Sequence, residues 1–235
     1  MSRLSILSGG AAQGLVGSLS STFKAQTGLD IAGEFGAVGV MADKLRNSAP
    51  ADIVILTAAL LARLAAENLV AAPSITDVGL VETALAVRTG DPKATVRDAA
   101  DLREILLAAD AIFVPDTKAS TAGIHVATVL RQLGIADVVA ARLRIFPNGA
   151  TAMRKLAASE ARRPIGCTQS TEIISTKGVT LSGALPQGCE LSTMYTAAVA
   201  ARAVAAQQAQ QLIDLLTAAD ARELRVRAGF LDAPT

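Results

Sequence analysis

Glycine, alanine and hydroxyl residues recur where predicted β-strands lead into helices, and this pattern is the clearest sign of chemistry in the chain. Glycine lets a ligand approach the backbone, and serine or threonine adds a hydroxyl donor. The first turn of a helix also presents unpaired N–H groups at the positive end of the helix dipole, so it attracts anions. The sequence therefore predicts a small anionic ligand, with donors from four segments: Ser8-Gly9-Gly10, Gly36-Ala37-Val38, Ser120-Thr121-Ala122 and Thr168-Gln169-Ser170.

These residues also have an ordinary structural interpretation. Serine and threonine are common helix N-caps, so Ser8, Ser120 and Thr121 either cap their helices or contact a ligand. Thr57 follows a buried apolar run, as do the residues 168–170. Ligands bind at the carboxyl ends of parallel strands, which makes these positions candidates too. Both interpretations remain open for each of them.

Three side chains are candidates for proton transfer if the protein is an enzyme. His125, the single histidine, lies one turn inside a predicted helix and is either an inert half-buried residue or a base. Tyr195, the single tyrosine, is either a core residue or a hydroxyl donor to the ligand. Lys118 precedes the same helix as His125, where it is either solvated or attracts the anion.

Composition excludes several classes of function. The 22 Lys and Arg residues nearly balance the 21 Asp and Glu residues, and aromatics make up only 3%, which argues against a nucleic-acid partner. No run of about 18 apolar residues is present to span a membrane, so no membrane insertion is expected. Cys167 and Cys189 lack metal-ligand spacing and are expected to be buried thiols. With one histidine in the chain, we predict no metal site and no cofactor.

The beginning of the sequence bears on localisation. The first three residues lead directly into the first predicted strand, without a charged segment followed by an apolar one. As the chain stands we expect a cytoplasmic protein. If a leader was removed and replaced by a start methionine, the expected location is the periplasm.

Hydrophobic periodicity predicts regular alternation of strands and helices, hence an α/β fold with mostly parallel sheets flanked by helices. Two further extended segments, 82–88 and 192–200, are long enough to cross between two lobes. The predicted strands are 4–8, 29–35, 51–56, 111–115, 143–146, 164–167 and 179–186, and the predicted helices are 11–27, 39–47, 58–68, 98–107, 120–133, 148–158, 202–218 and 219–228.

Over nearly its whole length the chain resembles the type II periplasmic binding proteins, and within them the molybdate-binding proteins of ABC transporters. The resemblance rests on the order and spacing of Ala49-Pro50-Ala51-Asp52-Ile53, Gly90-Asp91-Pro92-Lys93, Thr121-Ala122-Gly123, Thr193-Met194-Tyr195 and the closing Arg225 to Phe230. It implies a two-lobed fold with two crossing hinge strands and a ligand held between the lobes. It places lobe 1 at 1–83 and 196–235 and lobe 2 at 84–195.

The resemblance also implies roles for individual residues. Ser8 takes the place of the first oxyanion-binding serine of the family, Ala122 donates through its backbone N–H, and Tyr195 donates its hydroxyl. Molybdate binders carry serine where this chain has Ala37 and Val38. Because a buried oxyanion needs nearly all its hydrogen bonds satisfied, we expect a small unsaturated carboxylate rather than molybdate.

Three functions remain open. The first is a solute-binding protein for a small carboxylate or oxyanion that feeds an ABC permease if it is exported. The second is a cytoplasmic isomerase that shifts a double bond in an unsaturated polycarboxylate, because relatives of this family include aconitate isomerase. The third is a cytoplasmic ligand sensor. The sequence shows no DNA-binding helix-turn-helix that would pass on the signal, which argues against this function. We rank the binding protein first, narrowly ahead of the isomerase.

Overall fold

The structure is a computed structural model that describes residues 3–232. The chain has the two-lobed α/β fold expected from the sequence, in two compact units. Unit 1 comprises the residues up to Val81 and from Thr193 onward, and unit 2 comprises Glu82–Ser192. The chain thus passes from one unit to the other at 81/82 and 192/193, two and three residues before the positions expected from the sequence.

The elements follow one another in regular alternation. The strands are β1 (Arg3–Gly9), β2 (Asp30–Gly36), β3 (Ile53–Thr57), β4 (Thr76–Arg88), β5 (Ala111–Pro115), β6 (Leu143–Phe146), β7 (Pro164–Gln169), β8 (Val179–Ala184) and β9 (Ser192–Val199). The α-helices are α1 (Gln13–Thr27), α2 (Val38–Arg46), α3 (Ala58–Ala66), α4 (Ala99–Ala108), α5 (Thr121–Gln132), α6 (Ala136–Val139), α7 (Gly149–Ala157), α8 (Ser170–Ile174), α9 (Ala206–Thr217) and α10 (Arg222–Arg227).

In unit 1, β1 is flanked by β2 and β3 in parallel, and β9 pairs with β3 in the antiparallel direction. Every residue of β3 is buried, as a continuous apolar run in a covered sheet requires. Because parallel strands end at the same edge, β1, β2 and β3 bring Gly9, Gly36 and Thr57 to one edge of this sheet. Tyr195 of β9 is paired with Thr57 at that edge.

Asp52 explains one of the motifs on which the resemblance rests. This buried carboxylate accepts hydrogen bonds from the backbone N–H of Ser5 (2.8 Å), Val204 (2.8 Å) and Ala205 (2.9 Å). It thereby ties β1 to the segment that leads into α9. The sequence prediction began that helix at residue 202, whereas it begins at Ala206, because these N–H groups bind Asp52.

In unit 2, β5 is parallel to β6 and β7, and β4 is antiparallel to β7 and β8. The carboxyl ends of β5 and β7 share one edge of the sheet. β4 runs the opposite way, and its residue Thr83 is paired with Gln169 at this edge. Helix α5 packs against β5 and β7 on one face, through Val126 and Val129.

Within the described part of the chain, no single helix is long and apolar enough to cross a membrane. Two consecutive helical segments, Thr121–Gln132 and Ala136–Arg142, are long and apolar enough only when they are counted as one helix. They are bent by 119° relative to each other.

Candidate functional site

The candidate site residues of unit 1 lie around the end of β1. Ser8 is fully buried, with Phe35 and Ile55 as its neighbours on the flanking strands. Its hydroxyl donates to the Gly9 carbonyl, at 2.9 Å, and caps no helix. Beyond Gly9 the chain forms a 3-10 turn that begins at the buried Gly10, and α1 starts at Gln13, two residues after the start predicted from the sequence. The Ser8 hydroxyl is therefore a buried donor with one local acceptor, the Gly9 carbonyl. A ligand oxygen could take the place of that carbonyl as the acceptor.

Gly9 is where three elements of unit 1 meet. A Cβ added to it would lie 2.8 Å from Cγ1 of Val38 and 2.9 Å from Cε1 of Tyr195. Real Cβ atoms do not approach other atoms this closely, so only glycine fits here without a shift of its neighbours. The Val38 and Tyr195 side chains thus pack directly on the backbone that follows Ser8.

The start of α2 supplies backbone donors but no hydroxyl. Ala37 is the N-cap, its carbonyl accepts the first intrahelical bond from Met41 at 3.1 Å, and no side chain caps the helix. Val38 is the first helical residue and only 6% exposed. The N–H groups of the first turn of a helix have no intrahelical acceptor. An anion at this helix start would meet N–H donors beside an apolar valine wall.

Thr57 and Tyr195 complete the set in unit 1. They are paired across β3 and β9, so both side chains project from the same face of the sheet. Both are buried, and Thr57 occupies the N-cap position of α3 without a side-chain capping bond. The Thr57 side chain therefore does not cap α3.

In unit 2, the candidate residues around the start of α5 are fixed by Asp116. Its carboxylate accepts from the N–H groups of Lys118 (2.7 Å) and Ala119 (2.8 Å), and these bonds lower the pKa of Asp116. Gly123 approaches the Asp116 carbonyl so closely that a Cβ would clash with it. Ser120 is the N-cap of α5 and buried, yet its side chain makes no capping bond. Thr121 is half-buried and Ala122 is fully buried, at the first two positions of the helix.

The two candidate acid–base residues of unit 2, His125 and Lys118, have different surroundings. His125 is half-buried, and its Nε2 lies 2.8 Å from the Cys189 carbonyl, which can only accept. Nε2 therefore carries the proton in this pairing, and Nδ1 is the nitrogen left to act as a base. Lys118 is exposed, so its ammonium group is solvated.

At the end of β7 the structure reveals a residue that the sequence analysis missed. Thr168 donates a 2.6 Å hydrogen bond to the carboxylate of Glu172, which is buried. Burial raises the pKa of Glu172, while bonds from Thr168 and from the N–H groups of Ala150, Gln169 and Gly149 act in the opposite direction. The Thr168 hydroxyl is thus engaged within the protein. A glutamate in a short amphipathic segment carries no sequence signal for such burial.

Gln169, the next residue, is in the opposite situation. It is 3% exposed, and neither its Nε2 nor its Oε1 has a hydrogen-bond partner among residues 3–232. The same holds for the hydroxyl of Thr83, which is 1% exposed and which the sequence analysis did not select. Ser170, the first residue of α8, follows Gln169 directly and is also buried. Thr83 could have been found only from the pairing of β4 with β7.

The predicted site residues accordingly fall into two sets, one on each unit. Neither set is arranged as a metal site, since no cluster of three or more His, Cys, Asp and Glu side chains occurs within the described residues. Cys167 and Cys189 are free and buried, which confirms the prediction of buried thiols, and burial raises the pKa of Cys167 to about 12. The unit 1 set is Ser8, Gly9, Gly10, Ala37, Val38, Thr57 and Tyr195, and the unit 2 set is Lys118, Ser120, Thr121, Ala122, His125, Thr168, Gln169 and Ser170.

Comparison with known proteins identifies the family to which the chain belongs. The sequence profile described as "Bacterial extracellular solute-binding protein" matches residues 4–231. An aconitate isomerase from Pseudomonas sp is 26% identical over 242 residues, which cover 98% of this chain and 88% of that protein.

Solved structures agree on the fold. The periplasmic molybdate-binding protein of Azotobacter vinelandii superposes with a TM-score of 0.81 at 17% identity, over 99% of this chain and 100% of that one. The sulfate-binding protein of Mycobacterium tuberculosis H37Rv has a TM-score of 0.74 at 20% identity, over 98% of this chain and 86% of that one. The periplasmic-binding-protein-like fold expected from the sequence is therefore confirmed.

Proposed function

Because the chain belongs to the bacterial extracellular solute-binding protein family, we propose that it binds a small carboxylate and presents it to an ABC permease. The family description supports a solute-binding role outside the cytoplasmic membrane. The molybdate- and sulfate-binding neighbours share the fold and support a small anion as the solute. The finer choice of a carboxylate rests on this chain's own residues.

The observation that carries this choice is the start of α2. A tetrahedral oxyanion presents acceptors on all sides, and each buried acceptor left without a donor costs roughly 1–3 kcal/mol. At this helix start Ala37 and Val38 offer no hydroxyl, and Val38 packs against Gly9 beside Tyr195. A carboxylate has its acceptors at one end and carbon at the other. Its oxygens can take the donors of Ser8 and of the helix N–H groups while its carbon contacts Val38.

A second function is favoured by one specific finding, the 26% identity to an aconitate isomerase over 98% of this chain. Moving a double bond in an unsaturated polycarboxylate requires a base to remove a proton, and donors to stabilise the resulting charge. Tyr195, His125 and Lys118 are the candidate bases. Among them His125 has a ring nitrogen, Nδ1, left for this role. Binding without turnover remains our first choice, because the family profile describes binding proteins.

The experiment that tests the binding proposal is a thermal-shift screen. Mono-, di- and tricarboxylates are compared with molybdate, tungstate and sulfate. A ligand present at about 100 times its dissociation constant stabilises the folded state by about 2.7 kcal/mol, which shifts the melting temperature measurably. We expect at least one carboxylate to do so. A shift with oxyanions and none with any carboxylate would contradict the proposal.

A further inference from the structure

Thr83 and Gln169 form a polar pair inside unit 2. They are directly opposite each other on the antiparallel strands β4 and β7, so their side chains lie on the same face of the sheet. Both are at least nine-tenths buried, with exposed fractions of 1% and 3%. Their side chains are not hydrogen-bonded to each other, nor to any other described residue.

The face of the sheet that carries this pair is the one covered by α5. The next residue pair along the same two strands on that face, Leu85 and Cys167, packs with Val126 and Val129 of α5 in one apolar cluster. Thr168 projects from the opposite face, where it binds Glu172. The pair therefore lies on the side of the sheet where α5 begins, at the edge formed by the ends of β5 and β7.

The unused hydrogen-bonding capacity of the pair has a definite chemical character. The Gln169 amide offers two N–H donors and a carbonyl acceptor, and the Thr83 hydroxyl both donates and accepts. A buried acceptor without a donor costs about 1–3 kcal/mol. Carboxylate oxygens only accept, so they would pair with Gln169 Nε2 but leave Oε1 unsatisfied. A ligand hydroxyl satisfies both kinds of atom.

We propose that Thr83 and Gln169 select a hydroxycarboxylate, by binding the hydroxyl group that such a ligand carries beside its carboxylate. This inference rests on the proposed binding of a carboxylate and names the class of carboxylate. Sites built to bind a hydroxyl discriminate strongly against analogues that lack it, because their own polar groups are then left unpaired.

The test uses three matched pairs of acids that differ only in a hydroxyl group: lactate and propionate, malate and succinate, citrate and propane-1,2,3-tricarboxylate. Calorimetry on the wild-type protein is expected to show, in at least one pair, binding of the hydroxy acid about tenfold tighter or more. If a carboxylate binds but every pair binds equally, or the deoxy acid binds tighter, the inference is wrong and the proposed function stands. If none of the six acids nor any other carboxylate binds, both are contradicted.

Two variants assign the selectivity to these residues. Gln169→Met and Thr83→Val remove the polar groups at nearly constant volume, and each should reduce the preference for the hydroxy acid to about threefold or less while the deoxy acid still binds. Gln207→Met, on the exposed face of α9, and Thr128→Val, on the exposed face of α5, are matched controls that should leave the preference unchanged. Should Thr83→Val fail to fold, Thr83→Ser and Gln169→Met still test the idea, since serine should retain the preference. A preference that survives in Gln169→Met would contradict the assignment.

Discussion

The hydroxyl of Thr168, the next-to-last residue of the buried strand β7, donates a 2.6 Å hydrogen bond to the carboxylate of Glu172 in the short helix α8. The same carboxylate accepts hydrogen bonds from the backbone N–H groups of Gly149 and Ala150, at the start of α7. No space is left for a Cβ at Gly149, because it would overlap the Glu172 carboxylate and the Thr168 hydroxyl. Glu172 thus joins β7, α7 and α8, and it holds in place the strand that ends in Gln169.

We predict that Glu172→Gln destabilises unit 2 by about 1–3 kcal/mol, because an amide nitrogen would face N–H donors that now bind an oxygen. The effect depends on pH. Burial raises the pKa of Glu172 above its ordinary value of 4.5, so its stabilising contribution is complete below 4.5 and is lost as pH rises through the folded-state pKa.

Urea denaturation of wild type and variant, below and above pH 4.5, measures this dependence. The difference in unfolding free energy should be largest in acid and smaller at neutral pH. A difference that grows with pH would mean that the folded-state pKa of Glu172 is lowered rather than raised.

Replacing Ser8 with alanine should weaken ligand binding by on the order of 1–3 kcal/mol, because a charged acceptor loses a buried donor. The melting temperature of the ligand-free protein should change little, since only one local bond, to the Gly9 carbonyl, is lost. Ser18→Ala is the matched control, because the Ser18 hydroxyl also donates to a carbonyl at 2.9 Å but lies on the exposed face of α1. Loss of stability with unchanged affinity in Ser8→Ala would show that Ser8 is only structural.

Gly9→Ala should destabilise the protein by about 1–3 kcal/mol through overpacking, because the new methyl group would overlap Val38 and Tyr195. Gly17→Ala, in the exposed part of α1 with no atom near the added Cβ, should instead stabilise by up to about 1 kcal/mol. Combining Gly9→Ala with Val38→Ala removes one of the two overlaps and should recover part of the loss in urea denaturation. A double variant no more stable than Gly9→Ala would place the strain elsewhere.

Proton NMR in heavy water separates binding from isomerisation. We expect the protein to leave cis- and trans-aconitate unchanged over many hours, and Tyr195→Phe to raise the dissociation constant of the bound carboxylate about tenfold, through loss of one donor. His125→Ala should then have little effect. Exchange or interconversion that wild type catalyses and that one of these variants loses by 10²–10⁴-fold, as is typical for a missing base, would instead establish the isomerase.

Local patterns predicted most of the elements. Strand β5 lies where the apolar run 111–115 placed it, because a continuous apolar segment between two helical patterns has few alternatives. The start of α9 was placed too early, since Asp52 binds N–H groups 152 and 153 residues away in sequence, beyond the reach of any local pattern.

The candidate site divides in the same way. Hydroxyl residues at strand-to-helix connections, such as Ser8 and Ser120, could be recognised in the sequence because these connections have a local signature. Thr83 was not, since its importance comes from its pairing with Gln169 across two strands. Glu172 was also missed, because its burial depends on the backbone of α7 at Gly149.

The central claim, that the solute is a carboxylate rather than a tetrahedral oxyanion, is tested most directly by competition calorimetry on the wild-type protein. The carboxylate with the largest thermal shift is titrated alone and again in the presence of excess molybdate or sulfate. We predict micromolar or tighter binding that neither oxyanion weakens, because Ala37 and Val38 give a tetrahedral anion too few donors. Micromolar binding of molybdate or sulfate that displaces the carboxylate, or that occurs where no carboxylate binds, would contradict the claim.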